Sequence, residues 1–236
     1  MGKAVFNYNV FMAVTIAMMG LVLWMVFIWT PTETEQGAIS RSLFFHVPLA
    51  WVSMVAIAGV SIASLAYLRF KDIRWDRLAV AMAETGVVAG GLMLLTGMVW
   101  AKPVWGTWWT GEAKLTTALI MFFIYVAYLM FRAYYPAGAQ RHRLAAIIAV
   151  IGVVDSLIVY AAADLWERAH PPIIIGPAAE EDDQFASEFG LTLLASVVAF
   201  SLTYALVVYE RYRIRSTEDE LAELTKRKES LEVAPA

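Results

Sequence analysis

Three histidines stand in a chain of 236 residues that has no cysteine, so a soft ligand for a transition metal has to be an imidazole. His46 lies in Phe44-Phe45-His46-Val47-Pro48, and His170 lies in Glu167-Arg168-Ala169-His170-Pro171-Pro172. Proline constrains both sites. Pro171 pushes His170 out of helical geometry, and Pro48 is expected in the first turn of a helix, where its missing N–H costs little. His142, in Arg141-His142-Arg143, reads as solvated surface within a basic stretch. A lone histidine near a helix end is ordinarily a satisfied polar residue. Two of them at equal depth beside an aromatic loop make a second reading available, as ligands to iron.

That aromatic loop follows Trp100. Four of the nine tryptophans, Trp100, Trp105, Trp108 and Trp109, fall within ten residues, interleaved with Gly106, Thr107, Thr110 and Gly111. Tryptophan prefers the headgroup level of a membrane, which gives one reading, an interfacial belt. Belt residues are usually scattered singly over several helix ends. Clustered rings on a glycine-bearing backbone also make a platform on which a large planar ligand stacks. Composition alone leaves both readings open.

The elements that must position these residues are read from hydropathy. Hydrophobic residues make up 60% of the chain and charged ones 17%, and mean hydropathy is +0.62. A soluble domain carries about 25% charged residues. Six apolar runs approach the roughly 20 residues a membrane helix needs: 10–29, 43–68, 78–100, 115–131, 144–165 and 189–209. In lipid each satisfies its backbone only as a helix. The expected fold is an all-α integral membrane protein, a six-transmembrane-helix bundle over 1–215. Its tryptophan-rich loop, 101–115, joins helices 3 and 4 on the outer face, and a charged tail covers 216–236. The first run is longer than the apolar core of a signal peptide and has no A-x-A site, so it is expected to be retained.

Orientation follows from lysine and arginine, which cytoplasmic loops keep. Fourteen of the eighteen basic residues fall on the side of the N-terminus, loops two and four and the tail; Arg41, Lys102, Lys114 and Arg168 fall on the other. Both termini are therefore expected in the cytoplasm, with His46, His170 and the tryptophan loop facing outward. The formal charge of −3 excludes a nucleic-acid partner, because no positive field attracts phosphate. The tail from Ser216 runs from acids to bases, as a solvated helix would. Glu84 and Asp155 lie within spans, where acids are costly. Asp155 has two readings, an interhelical contact or the lining of a path through the bundle, and with no base expected in the spans to complete a relay the first is favoured. Gly86, Gly90, Gly91 and Gly97 are expected to let helix 3 approach its neighbours. The acidic run Glu180–Asp183 reads as a solvated stretch first and as a docking surface for a partner second.

Residues 105–116, WGTWWTGEAKLT, resemble the tryptophan-rich WWD signature of heme-handling membrane proteins in cytochrome c maturation. Six spans, the length and FFHVPLAW around His46 resemble the CcmC type in particular, over most of the chain. The resemblance implies a protein of the bacterial cytoplasmic (inner) membrane that is not an enzyme. It binds heme b at the outer face and delivers it to the heme chaperone CcmE, in association with CcmA, CcmB and the small protein CcmD. It implies His46 and His170 as axial ligands of the heme iron. Trp105, Gly106, Thr107, Trp108, Trp109 and Glu112 correspond to the platform, and Arg41, Lys102, Lys114 and Arg168 are candidate propionate partners. The chain departs from the family pattern at Gly111, Glu112 and Lys114, where tryptophan, aspartate and arginine are usual; a stacking ring is lost and a guanidinium fork becomes a point charge. Two other classes are weighed against this one. An electron-transfer subunit places histidine pairs inside the spans, and a small-molecule transporter carries a midplane site with paired broken helices. Covalent heme lyases of the same group are longer, with more spans.

Overall fold

The computed structural model describes residues 2–34, 36–165 and 187–232. Six helices account for most of them: α1 (Gly2–Trp24), α2 (Leu43–Phe70), α3 (Ile73–Trp105), α4 (Ala113–Tyr134), α5 (Ala139–Leu165) and α6 (Ser187–Glu232). Each carries a stretch long and apolar enough to cross a membrane. A π-helical turn, Met25–Trp29, ends α1, and a 3₁₀ turn, Ala38–Ser42, leads into α2. No strand forms among the described residues; a single bridge pairs Glu33 with Gly37.

Caps, rather than the width of the apolar run, set the helix ends. Lys71 adopts a left-handed conformation (φ 57°) and donates its N–H to the Tyr67 carbonyl at 2.8 Å, closing α2. Asp72 then accepts from the Arg74 N–H at 3.0 Å and opens α3, the role short acids fill at helix starts. Gly106 (φ 76°) ends α3, where a residue without Cβ adopts the left-handed form without strain. The stretch between α3 and α4 is therefore 106–112, inside the 101–115 expected from hydropathy, and Trp105 is still helical. Pro48 lies at the sixth residue of α2 instead of its first turn, because helix begins at Leu43. Its ring leaves the Phe44 carbonyl without an intrahelical donor.

Helix α2 packs most extensively on α3, and α4 on α5, with α6 against α1, α2 and α3. The main core is built of small and branched residues: Ala56, Val60 and Ala63 of α2, Ala79, Ala81 and Ala83 of α3, Ala145 and Ala149 of α5, sealed by Tyr125 and Tyr128 of α4. Close approach is what lets lipid-immersed helices gain dispersion energy. At Gly86 a Cβ would stand 2.6 Å from that of Ala56.

The end of the bundle with the α2–α3 and α4–α5 corners holds an ionic cluster that sequence reading missed. Asp76, 4% exposed, accepts two hydrogen bonds from Arg132 (2.7 and 2.6 Å) and lies 2.7 Å from His142 Nδ1. His142 is thus not solvated surface, as its basic neighbours implied. The start of α5 turns it inward onto α3, edge to face with Tyr67 of α2. Glu84 corrects the expectation that no base reaches the spans. Because α6 continues without a break, Arg211 (2.8 Å) and Arg215 both pair with it. Asp155 Oδ2 is buried and makes no hydrogen bond to a described residue.

Candidate functional site

The opposite end of the bundle holds His46, the tryptophan stretch, Arg41, Lys102 and Lys114. His46 projects from the first turns of α2 onto α3, half-buried. Its Nδ1 lies 3.0 Å from the Met93 carbonyl oxygen and 3.3 Å from Thr96 Oγ1. A carbonyl only accepts, so Nδ1 carries the hydrogen, and the neutral ring then offers a lone pair at Nε2. Nε2 makes no hydrogen bond among the described residues. The ring lies against Gly97, nine residues before Gly106, or about 14 Å along the helix axis. His46 is therefore deeper in the bundle than the turn at Gly106, and the expectation that His46 and His170 lie at equal depth falls outside the described residues.

From Gly97, α3 rises to the aromatic end. Trp100 is 6% exposed; its indole N–H donates to Gln36 Oε1 at 2.9 Å, tying α3 to the segment before α2. Trp105 packs edge to face on Trp100, with centroids 4.9 Å apart and planes at 82°. Beyond Gly106 the chain turns on Thr107, whose hydroxyl donates to the Trp109 carbonyl at 3.1 Å. Trp108 projects outward, 55% exposed, while Trp109 is half-buried. Glu112 is buried at the N-cap position of α4, and the Thr116 hydroxyl donates to the Gly111 carbonyl at 3.2 Å. The tryptophans thus divide into a buried anchor, Trp100, an intermediate pair, Trp105 and Trp109, and one displayed ring.

The bases of this end differ in what they already hold. Arg41 donates to the carbonyls of Val26 and Thr30 (3.2 Å for the latter) and to Thr32 Oγ1 at 3.1 Å. It satisfies carbonyls that the π turn leaves open. Lys102 Nζ donates to the Gly106 carbonyl at 2.8 Å, a C-terminal cap that keeps two of its three N–H donors. Lys114 is half-buried in the first turn of α4. His170, Arg168 and Glu180–Asp183 lie outside the described residues. Sequence reading missed Met93, Thr96 and Gln36. The first acts through its backbone, which no side-chain pattern reveals, and the other two are common polar residues with no motif around them.

A multi-pass helical membrane protein, with a histidine docked on a helix that ends in tryptophans, is the class this fold and site define. The chain belongs to the CcmC family, heme exporter protein C, whose sequence profile matches residues 3–227. It is 32% identical to the heme exporter protein C of Bradyrhizobium diazoefficiens over 174 residues, 74% of this chain and 65% of that protein. With the protein of the same name from Haemophilus influenzae it shares 28% over 213 residues, 89% of this chain and 85% of the relative. With that of Escherichia coli K12 it shares 34% over 154 residues, 64% of this chain and 63% of the relative. The aligned chain thus spans just under two thirds of the Bradyrhizobium and Escherichia proteins.

Proposed function

We propose that the chain binds heme b as cargo at the end of the bundle that carries residues 106–112, and hands it to the chaperone CcmE for cytochrome c maturation. The observation that carries this reading is the His46 ring, held through Nδ1 on the Met93 carbonyl with Nε2 uncommitted, on the helix that leads to the tryptophans. A ligating histidine characteristically gives its second N–H to such an acceptor. In this reading His46 and His170 are the two axial ligands. The difference in depth between His46 and Trp108 suits a macrocycle standing on edge, iron low and one rim at the loop. Trp105, Trp108 and Trp109 contact its faces, each aromatic contact contributing about 0.5–1.5 kcal/mol beyond area burial. The 106–107 turn sets their directions, and Glu112 orders the start of α4.

Propionates pair with Lys102, Lys114 or Arg168, while Arg41, engaged with three oxygens of its own end, serves the fold. The distribution of basic residues supports placing this end outside the cytoplasmic membrane, toward periplasm or exterior, with both termini inside. CcmA, CcmB and CcmD are the associated subunits the family implies. In this reading no bond of the cargo is made or broken, and the role is delivery rather than catalysis. An electron-transfer role, which calls for a histidine pair inside the spans, is disfavoured because the two described histidines stand at opposite ends of the bundle, with His142 engaged by Asp76. A midplane transporter, to which Asp155 and the glycine-rich α3 would point, is disfavoured because the described residues hold no pair of broken helices.

Absorption spectra of the purified, heme-loaded protein test this reading. His46→Ala and His170→Ala are each expected to lose the low-spin bands of a doubly ligated iron. Unchanged bands in both variants would sink it.

A further inference from the structure

Metal-site geometry is set as much by what holds a ligand as by the ligand itself. Resting on the reading of His46 as an iron ligand, we propose that the turn of α3 from Met93 to Gly97 is its positioning element. The Met93 carbonyl keeps the hydrogen on Nδ1, and the absent side chain at Gly97 leaves the notch in which the ring lies, so that Nε2 is the nitrogen presented to iron.

Three observations converge on this turn. The first is the contact of Nδ1 with the Met93 oxygen at 3.0 Å, which selects one tautomer because the oxygen cannot donate. The second is Thr96. Its hydroxyl has the Leu92 carbonyl at 2.8 Å and the Met93 carbonyl at 3.0 Å as acceptors, and with its hydrogen given to either it meets Nδ1, 3.3 Å away, as an acceptor. The ring is thereby bracketed by two acceptors on the same nitrogen. The third is Gly97, where a Cβ would stand 2.9 Å from His46 Cε1 and 3.3 Å from Nδ1. Glycine inside a helix costs backbone entropy relative to alanine, and the helical conformation here requires no glycine. Its value is space. The first atoms a methyl would meet belong to the imidazole, a side-chain tip that can turn away. An added methyl therefore displaces the ring while leaving α3 and the bundle in place.

The arrangement also couples two parts of the site. His46 belongs to α2, the tryptophans to the end of α3 and the connection beyond it, and this turn is where the ring touches the helix that carries them. A shift of α3 along α2 would change the iron ligand and the aromatic rim together.

The test uses the full-length protein in detergent. With histidine labelled in ¹⁵N, the heme-free protein has three imidazoles to distinguish, and His46→Gln identifies the signal of interest. That signal is expected to report the Nδ1–H tautomer; an Nε2–H tautomer would overturn the proposal. In the heme-loaded protein, Gly97→Ala is expected to weaken heme binding about 10–100-fold and to shift the low-spin band, as loss of an outer support does in metal sites. Thr96→Val is expected to change both in the same direction by less. Gly97→Ala with wild-type affinity and spectrum, beside a His46→Ala variant that has lost its low-spin band, would overturn positioning and leave the ligand reading intact. An unchanged spectrum in His46→Ala would remove the ligand reading and this inference with it. Should Gly97→Ala not accumulate in membranes, the tautomer of the unaltered protein decides.

Discussion

At the scale of residues, two histidines of one chain meet opposite fates for the same physical reason. An imidazole in a low-dielectric surrounding must give its N–H to an acceptor. His46 meets a neutral backbone carbonyl, which leaves its second nitrogen neutral and available. His142 meets a carboxylate already held by a guanidinium, and becomes part of a structural cluster. The cluster predicts an asymmetric mutational result. Asp76→Asn removes the anion and leaves Arg132 buried beside His142, an uncompensated charge that costs about 3–5 kcal/mol. Replacing Arg132 as well, in Asp76→Asn/Arg132→Met, is expected to recover a substantial part of that loss. Thermal unfolding of both variants in detergent measures this; a double variant no more stable than the single one would refute it.

At the scale of elements, the helix ends carry information that hydropathy does not. The α2–α3 corner is made by a left-handed Lys71 followed directly by the Asp72 cap. Hydrogen bonds from the Arg74 side chain and backbone hold the Asp72 carboxyl below its ordinary range. A carboxyl with a lowered folded-state value contributes its stability above the unfolded-state value and loses it as pH falls through the folded one. Stability of the corner is therefore expected to decline on acidification. Asp72→Asn, which still caps but does not titrate, is expected to show a flatter profile. The effect is small because the carboxyl stays in contact with solvent, and amide exchange at residues 73–76 is the measurement that isolates it. At the other end of the bundle, Arg41 performs the corresponding task for the π turn by gathering carbonyls 11 and 15 residues away in sequence.

At the scale of the whole molecule, the charge distribution predicts topology. A reporter active only in the cytoplasm, fused after residue 236, is expected to be active, and the same reporter inserted after Gly111 is expected to be silent; the reverse would invert the reading of the site. The six spans were legible in sequence because a bilayer demands about 20 apolar residues in a row, a signal no loop imitates. Helix ends were less legible: α3 gains five residues beyond Trp100, and α6 gains twenty-three beyond Tyr209, since polar residues continue a helix as readily as apolar ones once it has left lipid. The Asp76 cluster was illegible because its members are 56 and 66 residues apart and each, alone, resembles a solvated charge. The surroundings of His46 single it out in the sequence, whereas its acceptor, the Met93 main chain, leaves no mark there.

Helix α6 has one further consequence. It runs 46 residues without a proline, and with no glycine after Gly190, so at about 1.5 Å per residue it is a rod of roughly 69 Å, against roughly 40–45 Å for a bilayer with its headgroups. Near its start Thr192 is hydrogen-bonded to Thr30 at 2.7 Å, beside the π turn, and farther along Asp219 is bonded to Arg77 at 2.6 Å. Lacking a hinge between those two attachments, the rod tilts or slides as one body, and a load applied to its protruding tip is felt across the entire thickness of the membrane.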